Sequence, residues 1–287
     1  MRRDWYVIVG LAKTGTTVVA TTLRNTLRIP DLCMEPKDVA RISQFADRER
    51  LVIKIIFDHW TSRTDELKAV LRGEPTRDLP TVIGIVRDPR DELVSRLHYV
   101  AYNFFSTRPT TLDERTAWVD VFRRKEASPD TVALLDMEQD LKSRFGQGFC
   151  PGPSLYETYS HFVEELAASA APNVHILRYE AFVRGTVPDE GLRAMLSANR
   201  HVGPRLRRVH RSGSTGAWCY YLTPRDVALF NKRFAPMLAR FNYPLEPAPT
   251  AERPAATTGS DYVARLIDEA RATFAAQGLP RNGATKA

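Results

Sequence analysis

Apolar and polar positions change period several times along the chain, and each change marks an element. Trp5 to Val9 is a short apolar run with β-branched residues and predicts a buried strand. Gly10 to Thr17 is a turn of small residues. Val18, Val19, Leu23 and Leu27 then recur at helical spacing, and Pro30 closes that helix. Leu51 to Phe57 predicts a second strand, interrupted by Lys54; a buried parallel strand reads as a nearly unbroken apolar run, so this lysine needs a reason. Asp65 to Leu71 reads as helix. Thr81 to Val86 (TVIGIV) is a third strand ending in Arg87-Asp88-Pro89, where Asp88 suits a helix N-cap and Pro89 the first helical position.

Tyr99 to Pro153 has a less regular pattern, rich first in aromatics and then in charge. Tyr156 to Ala168 has the face of an amphipathic helix, and Val174 to Tyr179 (VHILRY) reads as a fourth strand. Gly213 and Gly216 fall in a loop before Trp218, and helix signals run from Thr223 to Phe241. Residues 246–260 are rich in Pro, Ala and Thr and read as a linker. Tyr262 to Phe274 then sets Val263, Leu266, Ile267, Ala270 and Phe274 on one helical face. The expected organisation is one domain over 1–245, the linker over 246–260, and an amphipathic helix with a frayed tail over 261–287. That helix either pairs two copies into a homodimer or docks on its own domain.

Composition narrows the class. A chain of 287 residues with 43% hydrophobic and 26% charged residues can bury a sizeable core. No apolar run reaches the roughly 18 residues that span a bilayer, and the N-terminus lacks a signal-peptide pattern, so a cytoplasmic location without a membrane partner is expected. Cys33, Cys150 and Cys219 are odd in number and widely spaced, which fits reduced thiols, and the six histidines show no metal-binding spacing. The net charge of +7 is spread along the chain, with one dense cluster at Arg205, Arg207, Arg208, His210 and Arg211. Aromatic interleaving of the RNA-recognition kind is absent, and a polyanionic small ligand explains the cluster at least as well as nucleic acid does, so no nucleic-acid partner is expected.

The chemistry begins at Gly10-Leu-Ala-Lys-Thr-Gly-Thr-Thr17. Small residues let backbone N–H groups converge on an anion, and the following helix adds the positive end of its dipole. Thr16 and Thr17 add hydroxyl donors. Gly10 and Gly15 have the spacing of a P-loop, but Thr16 occupies the position of its lysine, and Lys13 lies before the second glycine. A transferred sulfuryl group carries one formal negative charge where a phosphoryl group carries about two, so one lysine and helix-terminal donors suffice without a metal clamp. No carboxylate pair at a strand end presents itself as a Walker B site, although a case can be made for Asp58.

A second anchor lies in Ile85-Val86-Arg87-Asp88-Pro89, with Ser95 eight residues after Arg87 on the predicted helix. Ligands of open α/β sheets bind at the carboxyl ends of strands, where Arg87 can fork onto a phosphate and Ser95 donate to it. Together these motifs resemble the 3′-phosphoadenosine 5′-phosphosulfate (PAPS)-dependent sulfotransferase family. In that family a PKSGTT-like loop holds the 5′-phosphosulfate, matched here by Ala12-Lys13-Thr14-Gly15-Thr16-Thr17. An Arg-Asp-Pro unit with a downstream serine holds the 3′-phosphate. Arg211-Ser212-Gly213-Ser214-Thr215-Gly216-Ala217-Trp218 is similar to the family's RKGxxGxW loop, with Ser212 in place of its lysine, and Tyr179-Glu180 to its YE element. The resemblance covers about residues 5–244. It implies a three-layer α/β fold, a central parallel sheet flanked by helices, P-loop NTPase-like, with PAPS as co-substrate and no metal.

The resemblance also supplies candidates for the base that removes the acceptor proton. Glu35, in LCMEPK, resembles a carboxylate that heparan-type and several bacterial sulfotransferases place after their second strand, and Lys54 resembles their second active-site lysine. His59 is the competing base. Cytosolic sulfotransferases carry a histidine two residues beyond a lysine, but Ile56 stands there in this chain, so Glu35 is preferred. The acceptor, a small molecule, glycoside or phenol, would meet loops between Tyr99 and Phe149. The alternatives are a P-loop kinase using ATP and Mg²⁺ on a small molecule, and a non-catalytic nucleotide-binding protein.

Overall fold

The computed structural model describes residues 3–74, 78–197, 215–246 and 258–276. The cluster at Arg205 to Arg211, the loop residues Arg211, Ser212 and Gly213, most of the expected linker, and the C-terminal tail lie outside the described residues. In chain order the elements are β1 (Asp4–Gly10), α1 (Thr16–Leu27), β2 (Asp31–Met34), α2 (Val39–Ser43), β3 (Arg50–Ile56), α3 (Thr64–Leu71), β4 (Thr81–Val86), α4 (Pro89–Ser106), α5 (Leu112–Ala127), α6 (Leu134–Phe145), α7 (Pro153–Ala168), β5 (Val174–Arg178), α8 (Tyr179–Arg184), α9 (Glu190–Met195), α10 (Trp218–Tyr221), α11 (Pro224–Arg233), α12 (Ala235–Arg240) and α13 (Thr258–Ala276). They fall into two compact units. The first takes the described residues within Met1–Glu92, Gly152–Thr215 and Ala239–Asn242, and the second takes the rest, so α4 begins in one and continues in the other.

The first unit is built on a five-stranded parallel sheet in the order β2-β3-β1-β4-β5, flanked by helices, as the strand–loop–helix alternation predicts. The order reverses around β1, so the loop leaving β1 emerges where a sheet of this kind opens its crevice. Parallel pairing puts matched residues on one face: Ile8 stands beside Lys54 and Ile83, and Lys54 beside Met34. On that face Ile8, Val52, Ile83, Ile85 and Leu177 pack with Val18, Val19 and Leu23 of α1, Phe182 of α8 and Leu192 of α9. On the other face α7 lies so close to β4 that a Cβ on Gly84 would come within 3.6 Å of Leu166.

Three details differ from the sequence expectation. Helix α1 stops before Pro30, because Arg28 turns left-handed (φ 51°) and its N–H folds back onto the last turn. Strand β2 is additional; four residues beside a proline are too short to show alternation. Tyr179 opens α8 rather than ending β5.

The second unit is helical among its described residues, so the region of irregular pattern is in fact ordered helix. Trp118 of α5 packs against Phe104 (5.0 Å between ring centroids), Phe105 (5.4 Å) and Phe145 (4.6 Å), which makes these aromatics core. Helix α5 starts on a capping box: the Thr111 hydroxyl accepts from Glu114 N (3.0 Å), and Thr111 N donates to the Glu114 carboxylate (2.7 Å). Helix α13 packs on α5, and its Val263, Leu266 and Ile267 are buried, each contributing about 1.5–3 kcal/mol relative to exposure. Glu126 caps its start, accepting from Gly259 N (3.0 Å), Ser260 N (2.7 Å) and the Ser260 hydroxyl (2.6 Å). Arg115 forks onto Asp268 with two bonds of 2.7 Å. No helix among the described residues is long and apolar enough to cross a membrane.

Candidate active site

The loop between β1 and α1 is shaped by contacts that admit little else. A Cβ on Gly10 would lie 2.6 Å from the Thr14 hydroxyl, which donates to Leu11 O (2.7 Å). Gly15 has φ +91°, and a Cβ there would lie 2.2 Å from the Tyr179 ring. Both backbone conformation and close approach therefore require glycine at position 15. Within α1 Val19 N donates to Gly15 O (3.1 Å), which leaves the amides of Thr16, Thr17 and Val18 at the open, positive end of the helix. Thr16 is buried and Thr17 half-buried.

Lys13 carries φ +68°, a left-handed backbone that costs a non-glycine residue about 1–2 kcal/mol. Ala12 N donates to Asp58 Oδ2 (2.8 Å), and Lys13 O accepts from Arg87 Nη1 (2.8 Å). Arg87 is buried, its guanidinium carbon lies 4.7 Å from the centre of the Tyr179 ring, and its Nε has no hydrogen-bond partner among the described residues. The expected fork of Arg87 thus has one prong on the backbone of the loop and an unused donor beside it.

The Arg-Asp-Pro unit is a helix cap as well. Asp88 accepts from Arg90 N (2.9 Å), Nε (3.0 Å) and Nη2 (2.7 Å), and its own N–H donates to Glu180 Oε1 (2.9 Å). Tyr179 and Glu180, at the start of α8, therefore meet Gly15, Arg87 and Asp88. Ser95 is half-buried further along α4, within the second unit.

Glu35 follows β2 and also sits left-handed (φ +51°), so two of the candidate active-site residues hold strained backbone. Its N–H donates to Lys54 O (2.8 Å), and its carboxylate accepts from Lys54 Nζ. The two partners differ in exposure: the Lys54 side chain is 3% exposed and that of Glu35 45%. Burial pushes the Glu35 carboxyl up, but Lys54 beside it, with His59 and Lys13 further off, outweighs burial and holds it below its ordinary value. Burial pushes the Lys54 ammonium down, and Glu35 restores it only in part. The lysine that interrupts an apolar strand is thus the counter-ion of a carboxylate at the sheet's edge.

Neighbouring turns hold Glu35 in place. Buried Trp60 donates through Nε1 to Pro36 O (2.9 Å), and Arg63 Nη1 to Lys37 O (3.0 Å). His59 is exposed on the 3₁₀ turn Phe57–His59 after β3, while Ile56 packs into the core. The sequence offered Asp58 only as a metal ligand and gave no sign of its bond to the loop. Among the described residues no cluster of His, Cys, Asp or Glu has the make-up of a metal site. The assembly provides an anion cradle on a helix start, a lysine within the loop, and a carboxylate ion-paired with Lys54.

The family model described as the sulfotransferase domain matches residues 3–187, a span that contains Lys13, Glu35, Lys54, His59, Arg87, Ser95 and Tyr179 and ends before Arg211. Among solved structures, that of mouse sulfotransferase SULT7A1 complexed with PAP is similar at a TM-score of 0.44 and 16% identity, covering 94% of this chain and 90% of that one. No curated protein matches the sequence significantly.

Proposed function

The chain belongs to the sulfotransferase domain family, and from that premise we propose that it transfers the sulfuryl group of PAPS to an acceptor hydroxyl and releases 3′-phosphoadenosine 5′-phosphate. The observation that carries this reading is the Glu35 carboxylate, ion-paired with the buried Lys54 of the central sheet. The residues present suit the donor. The amides at the start of α1 would hold its 5′ end, and the unpartnered Arg87 Nε offers a buried donor for a phosphate. From the sequence motif, Ser95 and the Arg211–Gly213 loop would complete the hold on the 3′-phosphate, and Tyr179 would flank the nucleotide.

When bound, PAPS supplies an activated sulfuryl group on a phosphate leaving group. Glu35 takes the proton of the acceptor hydroxyl as its oxygen bonds to sulfur. Lys54 keeps Glu35 ionised and oriented, so Lys54 is a positioning residue. Lys13 would hold its ammonium near the oxygen that leaves with the 5′-phosphate and offset the charge that develops there. Acceptors of this kind include small alcohols, glycosides and phenols. The kinase alternative needs a lysine after Gly15, where Thr16 stands.

The test is transfer from ³⁵S-labelled PAPS to a panel of phenols, glycosides and alkyl alcohols. Wild type should label at least one class. Glu35→Gln should lower kcat by about 10²-fold or more, within the range of general-base effects, while the product's dissociation constant stays within about threefold. Full turnover by Glu35→Gln would remove Glu35 as the base and leave His59 to be tested.

A further inference from the structure

Lys13 is central to the proposed reaction, and its backbone is held from two sides. Ala12 N donates to Asp58 Oδ2 (2.8 Å) and Lys13 O accepts from Arg87 Nη1 (2.8 Å). Both torsions of Ala12 and both torsions of Lys13 lie between these tethers. One of them is the left-handed φ of +68° at Lys13, which an unrestrained lysine seldom adopts. A third bond, Thr14 N to Leu11 O (3.2 Å), closes the turn around them.

Asp58 is itself fixed. Its neighbour Phe57 is fully buried, with its ring 5.0 Å from that of Tyr159 and 4.8 Å from that of Phe162 on α7. Tyr159, also fully buried, donates to Ile85 O (2.6 Å), and Val9 O lies 3.3 Å from the same hydroxyl. The turn after β3 is therefore anchored to the ends of β1, from which the loop leaves, and of its neighbour β4. Burial, and after it the Asp58 charge, pushes the Tyr159 phenol up, so it stays a neutral donor at neutral pH.

A carboxylate beside an anion cradle is electrostatically adverse, and its presence calls for a compensating role. We propose that Asp58 is a positioning residue: by taking the Ala12 amide it fixes the Ala12–Lys13 peptide in the left-handed turn that aims the Lys13 ammonium at the reacting sulfate. What Asp58 supplies here is a hydrogen-bond acceptor, neither a proton acceptor nor a metal ligand. This inference rests on the sulfotransferase reading above, and the experiment separates their failures.

Asp58→Asn retains an acceptor oxygen of the same reach, and Asp58→Ala removes it. Each variant is compared with wild type in labelled transfer and in backbone hydrogen exchange of the peptide covering residues 10–17. Asp58→Ala should lower kcat about 10–100-fold, leave KM for PAPS within about threefold, and speed exchange at the Ala12 amide at least tenfold. Asp58→Asn should recover kcat to within about fivefold of wild type and restore the slow exchange. Equal losses in Asn and Ala would overturn the inference, since a base or metal ligand is lost in both. Unchanged exchange in Asp58→Ala would overturn it as well, independently of activity. If wild type itself transfers no label, the functional reading fails, while the exchange comparison still decides whether Asp58 holds the loop.

Discussion

Lys13 and Glu35 carry their side chains on left-handed backbone, where glycine would sit with less strain. At Lys13 this separates two consequences of mutation that usually travel together. Lys13→Ala and Lys13→Gly both lose the ammonium, and both should lose turnover by at least about 10²-fold. Their stabilities should differ, with the glycine variant more stable by about 1 kcal/mol in urea unfolding, because only the alanine keeps a Cβ at φ +68°. An alanine variant as stable as the glycine variant would show that the loop does not hold this conformation in solution. The position of Lys13 in the loop, before Gly15, was legible in the sequence. The strain was not, since nothing in the local sequence forces a left-handed lysine; the tethers come from Asp58 and Arg87, far along the chain.

At the scale of elements, β3 does two jobs at one position. Its apolar residues fill the sheet, and Lys54 sets the charge state of Glu35. Replacing Lys54 with methionine removes a buried charge and leaves a carboxylate that water already reaches. Stability at neutral pH should therefore stay within about 1 kcal/mol, because the carboxylate left behind is solvated rather than buried and unpaired, while kcat falls. The pH dependence carries the sign. In wild type the Glu35 carboxyl is held down, so its contribution to stability is present above the unfolded value and lost as pH falls through the lower folded value. Without Lys54 the largest remaining influence is burial, which raises it. The acid limb of the kcat profile should therefore move to higher pH in Lys54→Met, and an unmoved limb would detach Lys54 from Glu35. The anomaly of a lysine in an apolar strand was visible from sequence alone, and so was the helix start at Asp88-Pro89. The short edge strand β2 was not, because four residues carry no period. The capping box Thr111–Glu114 was a readable signal for α5, in a region whose aromatic and charged runs hid its helical face.

At the scale of the whole molecule, the strand–loop–helix order at the N-terminus and the apolar run of β4 were enough to predict a parallel sheet, since buried parallel strands announce themselves by unbroken apolar runs. The helical second unit was harder to read. Its core is held by aromatic packing around Trp118 and by buried acceptors such as Asp226, which takes Leu134 N (2.8 Å) from another helix, contacts without local periodicity. The central claim concerns the ligand of the β1–α1 loop, and thermal unfolding with 3′-phosphoadenosine 5′-phosphate against ATP with Mg²⁺ tests it most directly. At about 100 times its dissociation constant the sulfotransferase product should contribute roughly 2.7 kcal/mol, a rise in Tm of about 5–10 °C for a domain of this size, with a much smaller rise from ATP and Mg²⁺. Stabilisation by ATP and Mg²⁺, with none from 3′-phosphoadenosine 5′-phosphate, would contradict the account.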